Sequence, residues 1–273
     1  MSASFFTYFI RHGEKDPNTK IDPPLTLRGC LQAMRTGQFL AAPTRDKMLR
    51  GAEIIVSPYK RTLQTAVLAL AQKDWGDNVP QIILDPLISE TISNPNCVGS
   101  KKDELVQWLK EDGFGQDGLK ASLYKAVNDA IAANVISFEE SQKILTRIDV
   151  LLANMDSSEI ENCLKQDWWP KGTLEGGYES EADAQNRHTI LKKKYPDQNF
   201  VLFTHSTFIA DTFRKMRPIK TFDQGCESTI GVPKGRLSED WHMSQIDEAG
   251  LYEIEASSDN YTAWNNHHAP HVV

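Results

Sequence analysis

The 273-residue chain is short of cysteine, of basic charge and of long apolar runs, and each shortage closes off a class of protein. Its four cysteines, Cys30, Cys97, Cys163 and Cys226, lie far apart with no Cys-x-x-Cys pair. That spacing suggests neither a zinc cluster nor a dense disulfide frame, and reads as reduced thiols of a soluble cytoplasmic protein. Acidic residues outnumber basic ones, 37 to 30, for a net charge of −7 and a pI near 5.5. A general surface for nucleic acid or for an anionic membrane is not indicated, so any anion site has to be local. No stretch approaches the roughly 18 apolar residues of a membrane helix. The basic region, apolar segment and small-residue cleavage site of a secretory leader are also missing, as are internal repeats and low-complexity segments. The length suffices for a full core, and a core domain carrying a sizeable insertion is the favoured division.

What is present begins at Thr7-Tyr8-Phe9-Ile10-Arg11-His12-Gly13-Glu14. Phe5 to Ile10 is aromatic and β-branched like a buried strand, and the run ends in a cation, an imidazole, a glycine and a carboxylate. Parallel strands of an open α/β sheet deliver ligand groups at their carboxyl ends. The planar fork of Arg11 fits phosphate oxygens, and a neutral histidine beside it can attack phosphorus. Gly13 lets backbone approach a ligand.

Later stretches repeat the pattern. Asp22 to Thr26 is a turn leading to an amphipathic helix over 27–41, with Thr26 as N-cap and Leu27, Leu31, Met34, Phe39 and Leu40 recurring at near-helical spacing. Glu53 to Val56 is a second strand, followed by Ser57-Pro58-Tyr59-Lys60-Arg61. Pro58 can open a helix there, placing Arg61 in the first turn beside free amides that favour anions. Gln81 to Leu84 is a third strand, and Glu90 falls near the same edge, in a position suited to a general acid. Its nearest competitors for that role are Asp85 and Glu14. Asn199 to Thr204 is the clearest parallel strand and ends in His205.

Taken together these stretches resemble the histidine phosphatase superfamily, the phosphoglycerate-mutase-like proteins of branch 1. The resemblance runs through Arg11-His12-Gly13-Glu14, Leu25-Thr26-Leu27-Arg28-Gly29-Cys30-Leu31-Gln32-Ala33, Ser57 to Ala66, Leu87 to Ser100, and Thr204-His205-Ser206-Thr207. It implies a three-layer α/β/α sandwich with a mostly parallel sheet containing one antiparallel strand. It further implies that His12 becomes phosphorylated, that Arg11, Arg61 and a protonated His205 bind the transferred phosphate, and that Glu90 protonates the leaving oxygen. Glu14 and Ser206 are candidate pocket residues. Ser206 stands where the family commonly has glycine, and Thr207 where some relatives have glycine after His-Ser, which bears on rate and substrate size. No metal or other cofactor is implied, and the partner is a small phosphorylated substrate rather than nucleic acid or membrane.

The chain reads as one domain, 1–273, with a helical cap insertion at 101–167 that has helical patterns and no strand signal. Helices are expected at Asp103–Glu111, Leu119–Val135 and Ser137–Met155, and the resemblance implies that such an insertion lies over the phosphate pocket and selects substrate. Trp168 and Trp169 mark the return, as core packing, pocket wall or both. Glu179 to Lys194 is a helix with Ala182, Ala184, Ile190 and Leu191 as inner face, and Phe208 to Met216 another. Cys226 to Val232 and Gly250 to Ile254 are strand candidates around a polar excursion, Gly231 to Asp247. His267, His268 and His271 lack the carboxylate or cysteine frame of a metal site.

Three functions fit: a metal-independent phosphomonoesterase, a phosphoglycerate mutase, and a non-enzymatic interaction protein that keeps the fold. His12-Gly13-Glu14 also matches half of a zinc-deaminase signature, but Pro95 to Gly99 supplies one cysteine where two are required.

Overall fold

Phe9-Ile10, Ile54-Ile55-Val56 and Val201-Leu202-Phe203 are continuous apolar runs, the pattern of strands covered on both faces. The computed structural model describes residues 6–43, 49, 51–92, 97–110, 118–196, 199–216, 251–255 and 261–264. Among them, seven strands form one sheet: β1 (Phe6–Arg11), β2 (Ala52–Val56), β3 (Ile82–Leu84), β4 (Met155–Asp156), β5 (Asn199–Thr204), β6 (Leu251–Glu255) and β7 (Tyr261–Trp264). Their spatial order is β4-β3-β2-β5-β1-β6-β7. The first five in that order run parallel; β6 pairs antiparallel with β1, and β7 antiparallel with β6.

The period of two along each strand divides the core into two faces. Tyr8, Ile10, Ile54, Val56, Val201 and Phe203 join a single buried cluster with Ala33, Met34, Leu63 and Val67. Those partners come from α1 (Leu27–Leu40) and α2 (Lys60–Leu70). Phe9, Ile55 and Leu202 are equally buried but lie outside that cluster. The Phe9 ring meets His188 of α7 (Glu181–Lys194) at 6.2 Å, and α7 packs on α8 (Ser206–Met216), which also contacts β1. Helices therefore cover both faces of the sheet. Each large apolar side chain so buried stabilises the fold by roughly 1.5–3 kcal/mol relative to exposure.

Between β3 and α7 lie α3 (Lys102–Lys110), α4 (Leu119–Ala132), α5 (Phe138–Ala153) and α6 (Ser158–Glu161). Of these, α4 packs against α1 and α2, and α5 against α2. The stretch leaves and rejoins the core at one point: Trp168 Nε1 donates to Ser100 O at 2.8 Å, and Lys102 N to Gln166 O at 2.9 Å. It also holds β4, paired parallel to β3 through Ile82 and Met155. A two-residue strand has no alternation to read, which is why sequence patterning left it as helical surroundings.

Two helix faces differ from their predicted ones. In α1, Thr26 caps as expected, its hydroxyl accepting from Gly29 N at 3.0 Å, but Leu27 is exposed and the inner face is Cys30, Ala33, Met34, Gly37 and Leu40. In α7, Ala182 and Ile190 are exposed, while Arg187 and His188 are buried beside Ala184 and Leu191. Apolarity was a poor guide there because a buried carboxylate, Glu179, compensates the arginine. The strand predicted at 250–254 is β6, one residue later, whereas β7 was not anticipated. Cys226–Val232, the excursion 231–247 and the tail histidines lie outside the described residues.

The β1–α1 loop is held by close backbone contact. A Cβ on Gly29 would meet Glu14 O at 2.1 Å, and one on Gly13 would meet Gly29 O at 2.4 Å. Gly29→Ala should therefore cost about 1–3 kcal/mol by overpacking, read as a lower urea midpoint at unchanged slope. An unaltered midpoint would mean that the loop and α1 separate without cost.

Candidate functional site

The parallel register lines up three strand ends. Arg11 lies opposite Thr204, and Val56 opposite Phe203. The rows extend one step further, His12 N donating to Thr204 O (3.0 Å) and Ser57 N to Phe203 O (2.9 Å). Backbone bonding alone thus brings His12, Ser57 and His205 side by side, and the two imidazole rings meet edge-on at 5.2 Å.

His12 is 3% exposed. Its Nδ1 lies 2.7 Å from Gly13 O. A carbonyl only accepts, so Nδ1 carries the proton and, in the neutral ring, Nε2 keeps its lone pair. Burial first, then the Arg61 and Arg11 guanidiniums, hold this imidazole well below its ordinary value. The ring is neutral at neutral pH, as a nucleophile requires.

Arg61, 1% exposed, enters from the first turn of α2. Its Cζ stacks 4.4 Å over the Tyr59 ring. Its Nη2 donates to His205 Nδ1 at 3.2 Å and lies 3.8 Å from Glu90 Oε2, while Nη1 is 3.7 Å from Asp22 Oδ1. Neither Nε nor Nη1 makes a hydrogen bond among the described residues. Buried donors without acceptors are costly, and a guanidinium so placed suits oxyanion binding.

His205 is fully buried. Because Arg61 can only donate, Nδ1 accepts, and the ring proton sits on Nε2, 2.8 Å from Ser57 Oγ. Burial, Arg61 and His12 push this imidazole well below its ordinary value. Without substrate His205 is therefore a neutral ring: the fixed charge belongs to Arg61, and low-dielectric surroundings disfavour a second one beside it.

Glu90 is 9% exposed; its Oε2 lies 3.5 Å from His205 Nδ1, and its Oε1 makes no hydrogen bond among the described residues. Arg11 closes β1, partly buried, near enough to act on His12. Ser206 is buried at the start of α8. Glu14 is drawn to α1 instead: its Oε1 accepts from Thr26 Oγ1 at 2.9 Å, its Oε2 lies 3.4 Å from the exposed Arg28, and its N donates to Gln32 Oε1 at 2.8 Å. Trp168 and Trp169 are both buried. Trp168 packs edge-on to Tyr59 at 5.3 Å, and Tyr59 to His205 at 4.7 Å, so core packing also backs the site.

Several participants escaped the sequence reading. Buried Asp22 accepts from Lys60 N (3.0 Å), Ser100 N (3.2 Å) and Ser100 Oγ (2.9 Å) while facing Arg61. Burial raises its carboxyl above the ordinary value. Ser57 and Tyr59 lay within a quoted motif without a role. Exposed Lys15 adds positive potential at both histidines. Glu179 and Arg187 form a buried pair, Nε 2.8 Å from Oε1 and Nη2 donating to Oε2 at 3.0 Å. The spacing 184, 187, 188, 191 is the i, i+3, i+4, i+7 stripe of an inner helix face, and an arginine on it was the available signal.

His12, Glu90 and His205 offer ligand atoms all within 4.8 Å of one another, the outline of a cation site. The Arg61 guanidinium stands among them and would repel a second cation, so the donor set fits an anion better. The neutral histidines also have a consequence for stability. In the unfolded chain each takes a proton near pH 6.5, so unfolding binds protons below that pH. Stability should fall as pH drops through about 6.5, by up to about 1.4 kcal/mol per pH unit per histidine. Denaturant midpoints followed from pH 7.5 to 5 should decline less steeply in His205→Gln than in the parent; parallel profiles would contradict a buried neutral ring.

Residues 7–111 match the family model for the histidine phosphatase superfamily, branch 1. No curated protein matches the sequence. Solved structures with a similar arrangement include Bacillus stearothermophilus YhfR, 15% identical over 95% of this chain and 95% of that one, with a TM-score of 0.48. A putative alpha-ribazole-5'-P phosphatase from Escherichia coli is 14% identical over 96% and 95%, TM-score 0.44. A mycobacterial glucosyl-3-phosphoglycerate phosphatase is 14% identical over 96% and 99%, TM-score 0.45. Arg11, His12 and Arg61 of the matched segment are gathered at one sheet edge, so residues 7–111 carry the likeness to the histidine phosphatase superfamily, branch 1.

Proposed function

We propose that the protein hydrolyses a small phosphorylated metabolite through a phosphohistidine, without a metal. The observation that carries this reading is the neutral His12, its Nδ1–H held by Gly13 O, next to a buried guanidinium with two nitrogens, Nε and Nη1, unbonded among the described residues. Arg61 and Arg11 bind the phosphoryl oxygens and offset the charge that a metal otherwise offsets. His12 Nε2 attacks phosphorus as the P–O bond to the leaving group breaks, and Glu90 gives its proton to the departing oxygen. Water then attacks phosphohistidine; Glu90 accepts the proton, the P–N bond breaks, and phosphate leaves. A dianion arriving beside the neutral His205 ring favours its protonated form, so His205 gains its proton with substrate rather than before it, while His12 reacts as the neutral ring.

Other features support the wider reading. The meeting of residues 100–102 with 166–168, close to Tyr59, supports a single domain in which 101–167 is an insertion placed to select substrate. Free thiols at Cys30 and Cys163 support a reducing, cytoplasmic setting. No helix among the described residues is long and apolar enough to cross a membrane.

Phosphate release from aryl and sugar phosphates in excess chelator should proceed in the parent and vanish in His12→Ala. An acid-labile, alkali-stable phosphoenzyme should be trapped on rapid quenching. Arg61→Met should lower kcat/KM by roughly 100- to 1,000-fold, as for loss of one preorganised donor. Chelator-sensitive release, or activity retained by His12→Ala, would overturn the reading.

A further inference from the structure

Glu90 must present its carboxyl to the leaving oxygen, yet among the described residues that carboxyl is held by no short contact: Oε1 makes no hydrogen bond and the neighbours of Oε2 stand at 3.5 and 3.8 Å. Its position therefore comes from its backbone, and the backbone on both sides is gripped by one buried ion pair. Arg187 Nη1 donates to Leu87 O at 2.9 Å and to Ser89 O at 3.0 Å. Glu179 Oε2 accepts from Ile92 N at 2.9 Å, and Glu179 N donates to Ile92 O at 2.8 Å. The two side chains are bound to each other, and neither is more than 6% exposed. Thr204 Oγ1 to Ile88 O (2.6 Å) and Thr91 Oγ1 to Asp211 Oδ2 (3.0 Å) complete the tethering of 87–92.

We infer that Glu179 and Arg187 are positioning residues for the general acid, fixing Glu90 against the leaving group through the carbonyls of Leu87 and Ser89 and the amide of Ile92. The physical ground is the fork of the guanidinium. One edge is committed to the carboxylate, and Nη1 is left to bridge two carbonyls that precede Glu90, a geometry an ammonium cannot reproduce. The Glu179 carboxylate accepts the Ile92 amide beyond Glu90. A displacement of this clamp by a fraction of an ångström moves the proton donor and leaves His12, Arg61 and the phosphate pocket in place, because those stand on β1, α2 and β5. The inference rests on the phosphomonoesterase reading above.

Leaving-group dependence separates positioning from mere support. A good leaving group such as 4-nitrophenolate departs without a proton, whereas an alkoxide needs one. In Arg187→Lys and Glu179→Gln, kcat/KM for an alkyl phosphate should fall at least about 100-fold, within the range of general-acid contributions. The same constant for 4-nitrophenyl phosphate should fall less than about threefold. On the alkyl phosphate, Arg187→Lys/Glu90→Gln should lose no more than Glu90→Gln alone, since both act in one step. Equal losses on the two substrates, or losses that add in the double variant, would overturn the inference. Should Arg187→Lys fail to fold, Glu179→Gln carries the comparison. Amide exchange at Ile92, independent of turnover, should quicken in either variant, and unchanged exchange would refute the clamp. A parent that releases phosphate from neither substrate would instead refute the phosphomonoesterase reading itself.

Discussion

A buried guanidinium is the constraint from which the site follows. Arg61 brings a full charge into a position 1% exposed, at a desolvation cost of several kcal/mol. Its surroundings divide the compensation among the Tyr59 ring, the carboxylates of Asp22 and Glu90, and His205 Nδ1. Each compensating group belongs to a different connection, so holding the charge in place also holds those loops in place. Asp22 links the turn before α1 to the first turn of α2 and to Ser100. Glu90 comes in on the segment after β3, itself gripped from α7. The loops around the pocket are thus ordered by polar contacts rather than by apolar burial.

The same charge sets the protonation of its neighbours. Two imidazoles beside a fixed cation in a water-poor site are held neutral. That leaves a lone pair on His12 and prevents the two rings from competing with Arg61 for its counter-ions. On the proposed reading, charge balance at the site is matched to an incoming dianion, which would complete the coordination of Nε and Nη1, and nucleophile and phosphate binder are kept in opposite charge states by one group.

Legibility followed locality. The strands at Glu53–Val56 and Asn199–Thr204, the cap at Thr26 and the three helices of 101–167 were readable because each is specified by a few consecutive residues. His12, Arg11, Arg61 and His205 were readable because each ends a strand or opens a helix in a short, dense motif. Asp22 was not, since its role appears only when a turn is folded against α2. Arg187 and Glu179 were passed over for a related reason: polarity argues for the surface unless the partner is known, and the partner lies eight residues away across a helix N-terminus. β4 is too short to carry a pattern, and its pairing with β3 depends on the intervening helices returning to the sheet edge.

The amino-acid sequence by itself determined which chemistry the chain can carry, because side-chain type and the alternation of strand and helix place an arginine, a histidine and a carboxylate at sheet ends. Tertiary structure decided their charge states and alignment. Burial and the distances between strand ends set which imidazole nitrogen is protonated, which guanidinium edge faces outward, and how the segment bearing Glu90 is clamped. Those properties depend on groups far apart in sequence, such as Ser57 and His205 at a separation of 148 residues, and pairwise electrostatics across such separations is set by the packed sheet and not by sequence neighbours.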